Sequence, residues 1–416
     1  MNIDEQVALL MRGTDYGDEE LKQAMAGELR QRLIEAEKEN RPLRVYCGYD
    51  PTKADLHLGH TITMRKLRQF QDLGHDVTFL IGTYTSLIGD PSDKDVLRPQ
   101  LAPAEVEANA RTYAEQAFRV LDRSKTTIRY NAEWLSELSF AELIKLASNF
   151  TIQQFITREN FKLRWERGEA IYLHETFYSL MQGFDAYSLK ADVQVGGTDQ
   201  LFNIVTAARK IMTFLGAKPN IAIITGILPG TDGEIRMSKS LGNHIALNTT
   251  PEDMYGKVMS VPDKAMGIYF RLVTRWSASL IDELEKGMAD GKLHPRDVKM
   301  KLAREIVEIY YGEKEAVMAE EAFVRVFQKG SAPEGILEWT LQPGQTVLDV
   351  LLSGKLVSTR GEGKRLIEQN GVRLDGVTLT DPNQVFPHAG VLQAGKRRFL
   401  RVVIEPTGEI ILDIPI

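Results

Sequence analysis

The chain has 416 residues, 43% of them hydrophobic and 26% charged, the balance of a globular protein long enough for two or three domains. Its 51 basic and 57 acidic residues give a formal charge of −6, which excludes a protein coated in positive charge but leaves room for one basic domain. A single cysteine, Cys47, excludes an intrachain disulfide; with no run of about 18 apolar residues and no signal-peptide pattern at the start, no membrane association and a reducing cytoplasm are expected.

Up to about residue 232, short apolar runs alternate with helical patterns. Residues 44–48 read as a strand, 58–73 as a helix and 77–82 as a second strand. Residues 192–195 read as a strand leading into a helix near 200–215, and 221–227 as a buried strand. This alternation predicts a Rossmann-like doubly wound α/β sheet of parallel strands, with ligands at their carboxyl ends. From about residue 251 the pattern is helical only, closing with two amphipathic segments, 296–310 and 313–327, around Tyr311 and Gly312. Residues 331–344, with Pro333, Gly335, Pro343 and Gly344, read as a linker. The expected division is a catalytic domain at 1–232, a loop and all-helical domain at 233–330, that linker, and a small α+β domain at 345–416. Between Leu352 and Arg401 nine basic residues stand against four acidic ones, a local charge of +5 in an acidic chain. A reversal of that kind points to an anionic partner.

Two motifs carry the chemistry. Pro51-Thr52-Lys53-Ala54-Asp55-Leu56-His57-Leu58-Gly59-His60 follows the first strand and sets two imidazoles where a helix begins. Main-chain N–H groups and the helix dipole favour phosphate at such a terminus. Arg236-Met237-Ser238-Lys239-Ser240 follows the last strand and a glycine-bearing loop, two cations and two hydroxyls suited to a polyphosphate. Alone, the first reads more readily as two partly buried histidines capping a helix and the second as a solvated basic turn. In this order, about 180 residues apart around a βα pattern, they resemble the HIGH and KMSKS elements of class I aminoacyl-tRNA synthetases.

The likeness extends through Val45-Tyr46-Cys47-Gly48-Tyr49-Asp50, Leu87-Ile88-Gly89-Asp90-Pro91, Tyr178 to Asp185 and Val195-Gly196-Gly197-Thr198-Asp199-Gln200, all similar to bacterial tyrosyl-tRNA synthetases. The resemblance implies a tyrosine pocket of Tyr46, Asp90, Tyr178, Gln182, Asp185 and Gln200. Tyr178, Gln182 and Asp185 stand at i, i+4 and i+7, one helix face. Asp90, Tyr178 and Gln182 would hold the ammonium, while Asp185 accepts from the phenol and Tyr46 donates to it. It implies an ATP site of Gly48, Asp50, Thr52, His57, Gly59, His60, Gly197, Asp199, Met237 and Lys239, with His57, His60, Arg236 and Lys239 as the catalytic set and Mg2+ accompanying the nucleotide. Arg236 departs from the family's first lysine, keeping charge but not geometry. The tail, with Ser358 to Ile367 and Gly395-Lys396-Arg397-Arg398, resembles an S4 RNA-binding domain, which implies tRNA contacts from Arg360, Lys364, Arg365, Lys396, Arg397 and Arg398. His244 and the other histidines outside the motif read as surface or structural.

The expected activity is tyrosine–tRNA ligation, with L-tyrosine, ATP and tRNA(Tyr) as partners and a homodimer as the assembly. Tryptophanyl-tRNA synthetases share the motifs, but the S4-like tail and the Tyr46/Asp185 pair weigh against that reading. Another HxGH nucleotidyltransferase would not need the second motif, and a non-catalytic RNA-binding scaffold would not need His57, His60 and Lys239 intact.

Overall fold

The structure is a computed structural model that describes residues 1–51, 56–92, 103–156, 158–328, 337–395 and 398–404. The chain forms two compact units, Met1–Ala316 and Val317–Ile416.

The first unit is built on five parallel strands: β1 (Arg44–Tyr49), β2 (Asp76–Ile81), β3 (Thr126–Tyr130), β4 (Val193–Gly197) and β5 (Ile221–Thr225), in the order β3-β2-β1-β4-β5. Val45 of β1 pairs with Val77 on one side and Val193 on the other. The near-continuous aliphatic runs in β2 and β5 suit strands covered on both faces; all five residues of β5 are buried. The chain leaves β1 in one direction through β2 and β3, then returns to the opposite side of β1 as β4. That reversal opens a crevice at the carboxyl ends of β1 and β4, where ligands sit in open α/β sheets.

Three helices frame the crevice. Leu58–Asp72 joins β1 to β2, with the extended His57 as its N-cap. Leu173–Ser188 precedes β4, burying Tyr178, Leu180, Met181 and Asp185. After β4, a single 3-10 turn, Thr198–Gln200, runs into a π-helical stretch, Phe202–Ala208. Wide turns of this type are uncommon and gather at functional sites. Further along, Pro295–Tyr311 and Glu313–Gln328 are helices parted at Gly312, whose φ of 89° lies where glycine is favoured.

The second unit carries five strands in the order β6-β10-β9-β7-β8: β6 (Glu338–Thr340), β7 (Val372–Leu374), β8 (Val377–Thr378), β9 (Gly390–Ala394) and β10 (Arg398–Val403). Helices Val347–Ser353 and Arg360–Glu368 supply Leu351 and Ile367 to a core shared with Leu392, Leu400 and Val402. Strand β6 corrects the sequence reading. It lies inside the span 331–344 expected to be a linker, pairs parallel with β10, and packs Trp339 against this core. Three residues beside a proline–glycine turn are too few to carry a period of two.

Candidate active site

The crevice holds a cavity of about 480 Å3 lined by the ends of β1 and β4, the start of Leu58–Asp72, one face of Leu173–Ser188, and the segment from Thr225 to Leu241. Of the residues expected to bind tyrosine or ATP or to catalyse, all that are described line it; Thr52 lies outside the described residues. Residues from both sides of the sheet's reversal meet there, from Tyr46 to Leu241 along the chain.

At its buried end, Tyr46 is 1% exposed, and neither its hydroxyl nor Gln182 Oε1 has a hydrogen-bond partner among the described residues. Two such polar atoms lining the cavity suit a polar ligand that offsets their burial. Burial, reinforced by the Asp185 charge, pushes the Tyr46 phenol well above its ordinary range, so it stays protonated. Asp185, 3% exposed, accepts from Trp134 Nε1 at 2.7 Å and Asn131 Nδ2 at 3.3 Å. Burial still outweighs these donors and raises the Asp185 carboxyl to about 7.

Nearer the strand ends, Gln200 Nε2 donates to Asp90 Oδ2 at 2.6 Å, and the Ser92 N–H to Asp90 Oδ1 at 2.9 Å. Tyr178, expected with Asp90 at the ammonium, donates to Asp50 Oδ2 at 2.9 Å, and Thr85 Oγ1 donates to Asp50 Oδ1 at 2.8 Å. Gly82 makes room for this arrangement: a Cβ there would come within 2.0 Å of Asp50 Oδ1 and 2.4 Å of Thr85 Oγ1. Asp50, read from the sequence as an ATP residue, therefore joins the Tyr178 side to the nucleotide side.

The histidines are fixed by the helix start. Gly59 N–H donates to His57 Nδ1 and His57 N–H to His60 Nδ1, each at 3.2 Å. With Nδ1 accepting, a neutral ring carries its proton on Nε2, so both imidazoles offer an Nε2–H donor. Burial lowers His57 to about 2, aided by His60, His244, Arg236 and Lys239, which holds the ring neutral across physiological pH. The loop from Gly230 to Asn243 faces them. Met237 is buried, with its N–H on Leu228 O at 3.0 Å, while Arg236 is exposed and Lys239 half-buried. Asn243 ties this loop together: its Oδ1 accepts from Ser238 N–H at 2.8 Å, and its Nδ2 donates to Asp232 Oδ2 and to the carbonyls of Ile235 and Arg236.

Several members escape sequence reasoning. Trp134 and Asn131 follow β3 in no motif and reach Asp185 only through the strand order. His244, read as structural, lies with its ring 6.2 Å from that of His57. Cys47 lines the cavity, buried, its thiol raised to about 12 by that burial. In the second unit Arg360, Lys364 and Arg365 are exposed on one helix. Arg398, expected to contact RNA, donates to Glu362 Oε1 at 2.8 Å and to Leu356 O, and Arg360 donates to Asp349 Oδ1 at 3.0 Å. Lys396 and Arg397 lie outside the described residues.

In chemical terms the cavity joins two buried carboxyl groups, Asp185 and Asp90, to imidazole N–H donors and two cations. Residues 38–328 match the family described as tRNA synthetases class I (W and Y), and 348–386 match the S4 domain. Tyrosine–tRNA ligase 2 of Clostridium acetobutylicum is 42% identical over 405 residues, covering 97% of this chain and all of that one. The tyrosine–tRNA ligase of Symbiobacterium thermophilum is 44% identical over 412 residues, 97% and 99% of the two chains. Among solved structures, a C-terminally truncated mitochondrial tyrosyl-tRNA synthetase of Aspergillus nidulans aligns with a TM-score of 0.61 at 25% identity, covering 77% of this chain and 94% of that one. The Archaeoglobus fulgidus tyrosyl-tRNA synthetase, solved with L-tyrosine, shares the fold at a TM-score of 0.58 and 23% identity, over 77% of this chain and all of that one.

Proposed function

The chain belongs to the tRNA synthetases of class I (W and Y) and carries an S4 domain, and from that premise we propose that it activates L-tyrosine with ATP and transfers the tyrosyl group to tRNA(Tyr). The observation that carries the choice of amino acid is the pair at the buried end of the cavity: the unpartnered Tyr46 hydroxyl and the Asp185 carboxylate. Together they offer one donor and one acceptor, the complement of a phenol. An indole has no acceptor for Tyr46, and phenylalanine leaves the Tyr46 hydroxyl unmet, at about 1–3 kcal/mol, and brings Asp185 no donor beyond Trp134 and Asn131. Asp90, held by Gln200 and Ser92, is the counter-charge for the substrate ammonium.

In the first step a tyrosine carboxylate oxygen attacks the α-phosphorus of ATP, and the bond to the bridging oxygen breaks to release pyrophosphate. The nucleophile is already ionised, so the chain needs no general base. Its work is alignment and stabilisation of the charge spread over the transferring phosphoryl group. His57 and His60 supply Nε2–H donors, His57 as a ring that stays neutral near neutrality; Lys239 and Arg236 supply charge to the departing phosphates. Magnesium belongs to the nucleotide as its counter-ion. In the second step the terminal ribose hydroxyl of the tRNA attacks the acyl carbon and AMP leaves, with Arg360, Lys364 and Arg365 of the second unit drawing in the RNA.

A homodimer fits the surface of the first unit. The helices Phe140–Ala147, Ile152–Ile156, Glu159–Glu166 and Leu173–Ser188 share one apolar cluster, Leu146, Phe155, Phe161 and Leu180. They also expose Phe140 at 75%, Ile152 at 59%, Trp165 at 64% and Leu173 at 65%. Exposed large apolar side chains on helices that share one core support an interface on this face. Phe140→Asp with Leu173→Asp should convert a dimer to a monomer in sedimentation velocity, and an unchanged sedimentation coefficient would place the interface elsewhere.

Charging of tRNA with labelled amino acids tests the activity itself. The wild-type chain should load tyrosine and reject phenylalanine and tryptophan, and Asp185→Ala should lose most of the tyrosine-over-phenylalanine preference. An unaltered preference in that variant would refute the assignment of the phenol site.

A further inference from the structure

Arg158 belongs to no sequence motif and does not line the cavity, yet it is 7% exposed, and its guanidinium lies over the rings of Phe161 and Phe202, 5.2 and 4.8 Å from their centroids. A buried cation is costly, and an apolar side chain between two phenyl rings would avoid that cost. What the guanidinium adds is a planar fork with fixed donor directions. Nη1 donates to Ser179 Oγ at 3.0 Å and Nη2 to Ser92 Oγ at 2.8 Å.

From there two routes lead to one carboxylate. Ser92, whose hydroxyl is held by Arg158, donates its backbone N–H to Asp90 Oδ1. Ser179 Oγ donates to Asn203 Oδ1 at 2.7 Å; Asn203 Nδ2 in turn donates to Ser92 Oγ at 3.1 Å and to Gln200 Oε1 at 3.0 Å. Gln200, with its carbonyl so engaged, turns its amide N–H to Asp90 Oδ2. Asn160 Nδ2 adds a hold on the carbonyl of Pro91, the residue between Asp90 and Ser92. The same guanidinium thus fixes both oxygens of Asp90, and the Asp90 charge acts back on Arg158 as a counter-charge.

We propose that Arg158 is a positioning residue for the ammonium end of the cavity, setting the orientation of Asp90 and Gln200 through Ser92 and Asn203 without touching the substrate. The inference rests on the tyrosine reading above and extends it to a residue two contacts away from Asp90. It makes the ammonium contact depend on this network, while the phenol contacts of Tyr46 and Asp185 do not.

Two variants test it in the full chain. Arg158→Lys keeps a cation but loses the fork; Ser92→Ala removes the hydroxyl that both Arg158 and Asn203 hold and leaves the backbone N–H in place. Calorimetric titrations would compare L-tyrosine and tyrosinol, which carry the ammonium, with 3-(4-hydroxyphenyl)propionate, which lacks it. Both variants should bind the first two about tenfold more weakly, the scale of one weakened charge-assisted contact. Affinity for the propionate should stay within about twofold, as should the KM for ATP. A loss of equal size for all three ligands would overturn the proposal, because a general structural defect does not distinguish them; unchanged affinities would overturn it as well. If Arg158→Lys fails to melt cooperatively, Ser92→Ala decides alone. Wild-type chain that binds no tyrosine would sink the functional reading itself, whereas wild-type binding with no ammonium-selective loss sinks only the role of Arg158.

Discussion

Asp185 is placed to change its charge within the working range of the protein. Burial raises its carboxyl to about 7 even though Trp134 and Asn131 donate to it. The sign follows directly. Protonation as pH falls through 7 removes the negative acceptor that the substrate phenol needs, so kcat/KM for tyrosine should fall on the acid side with an apparent pKa near 7. Trp134→Phe deletes a donor that favours the ionised form, and the limb should then move to higher pH. Rate profiles in a constant-ionic-strength buffer check both statements; a limb that stays in place in Trp134→Phe would separate the indole from the titration. His57, held near 2, contributes no limb of its own above pH 4. At this scale the sequence is uneven. His57, Gly59 and His60 lie in one short motif, and Tyr178, Gln182 and Asp185 lie on one helix face, so their grouping is legible. Trp134, Asn131 and Arg158 meet the site only because β3, β2, β1 and β4 stand side by side, and no local spacing reports that.

The loop between β5 and the helix Pro251–Met259 shows how one element is held for its chemistry. Asn243 accepts from Ser238 and donates to the carbonyls of Ile235 and Arg236, so a single side chain sets the backbone on which Arg236 and Lys239 are mounted. Both Lys239→Ala and Asn243→Ala should slow adenylate formation while leaving tyrosine affinity within about twofold. The first removes a charge felt by the departing phosphates, which on general grounds costs about 10²–10³ in rate. The second costs less, because the loop retains Met237 N–H on Leu228 O. Stopped-flow measurement of adenylate formation with separate tyrosine titrations distinguishes these terms, and a variant that loses affinity but keeps its rate would assign the loop to substrate binding. Four of the five strands of the first unit and the helix Leu58–Asp72 follow from period and apolar runs in the sequence; β3, short and only partly buried, carries no such run. The π-helical stretch after Gln200 does not follow from them, because its extra residue per turn leaves no mark in a pattern of 3.6.

For the whole molecule, the second unit defines where the chain can be cut. Strand β6 pairs with β10, so a cut at Gly344 would remove β10 and strand β6 as an unpaired edge. A chain ending at Gln328 keeps every cavity residue and lacks the exposed Arg360, Lys364 and Arg365. It should activate tyrosine at a rate close to that of the full chain and charge tRNA poorly, with a shallower dependence of tRNA affinity on salt, since each lost phosphate contact removes part of the slope. Filter binding over a salt series checks this; equal slopes would mean the second unit does not engage RNA. The most direct test of the central claim is exchange of labelled pyrophosphate into ATP by the full chain in the absence of tRNA. Exchange that requires tyrosine, and that neither phenylalanine nor tryptophan supports, is the predicted result; exchange driven by tryptophan, or none with any amino acid, would contradict the account.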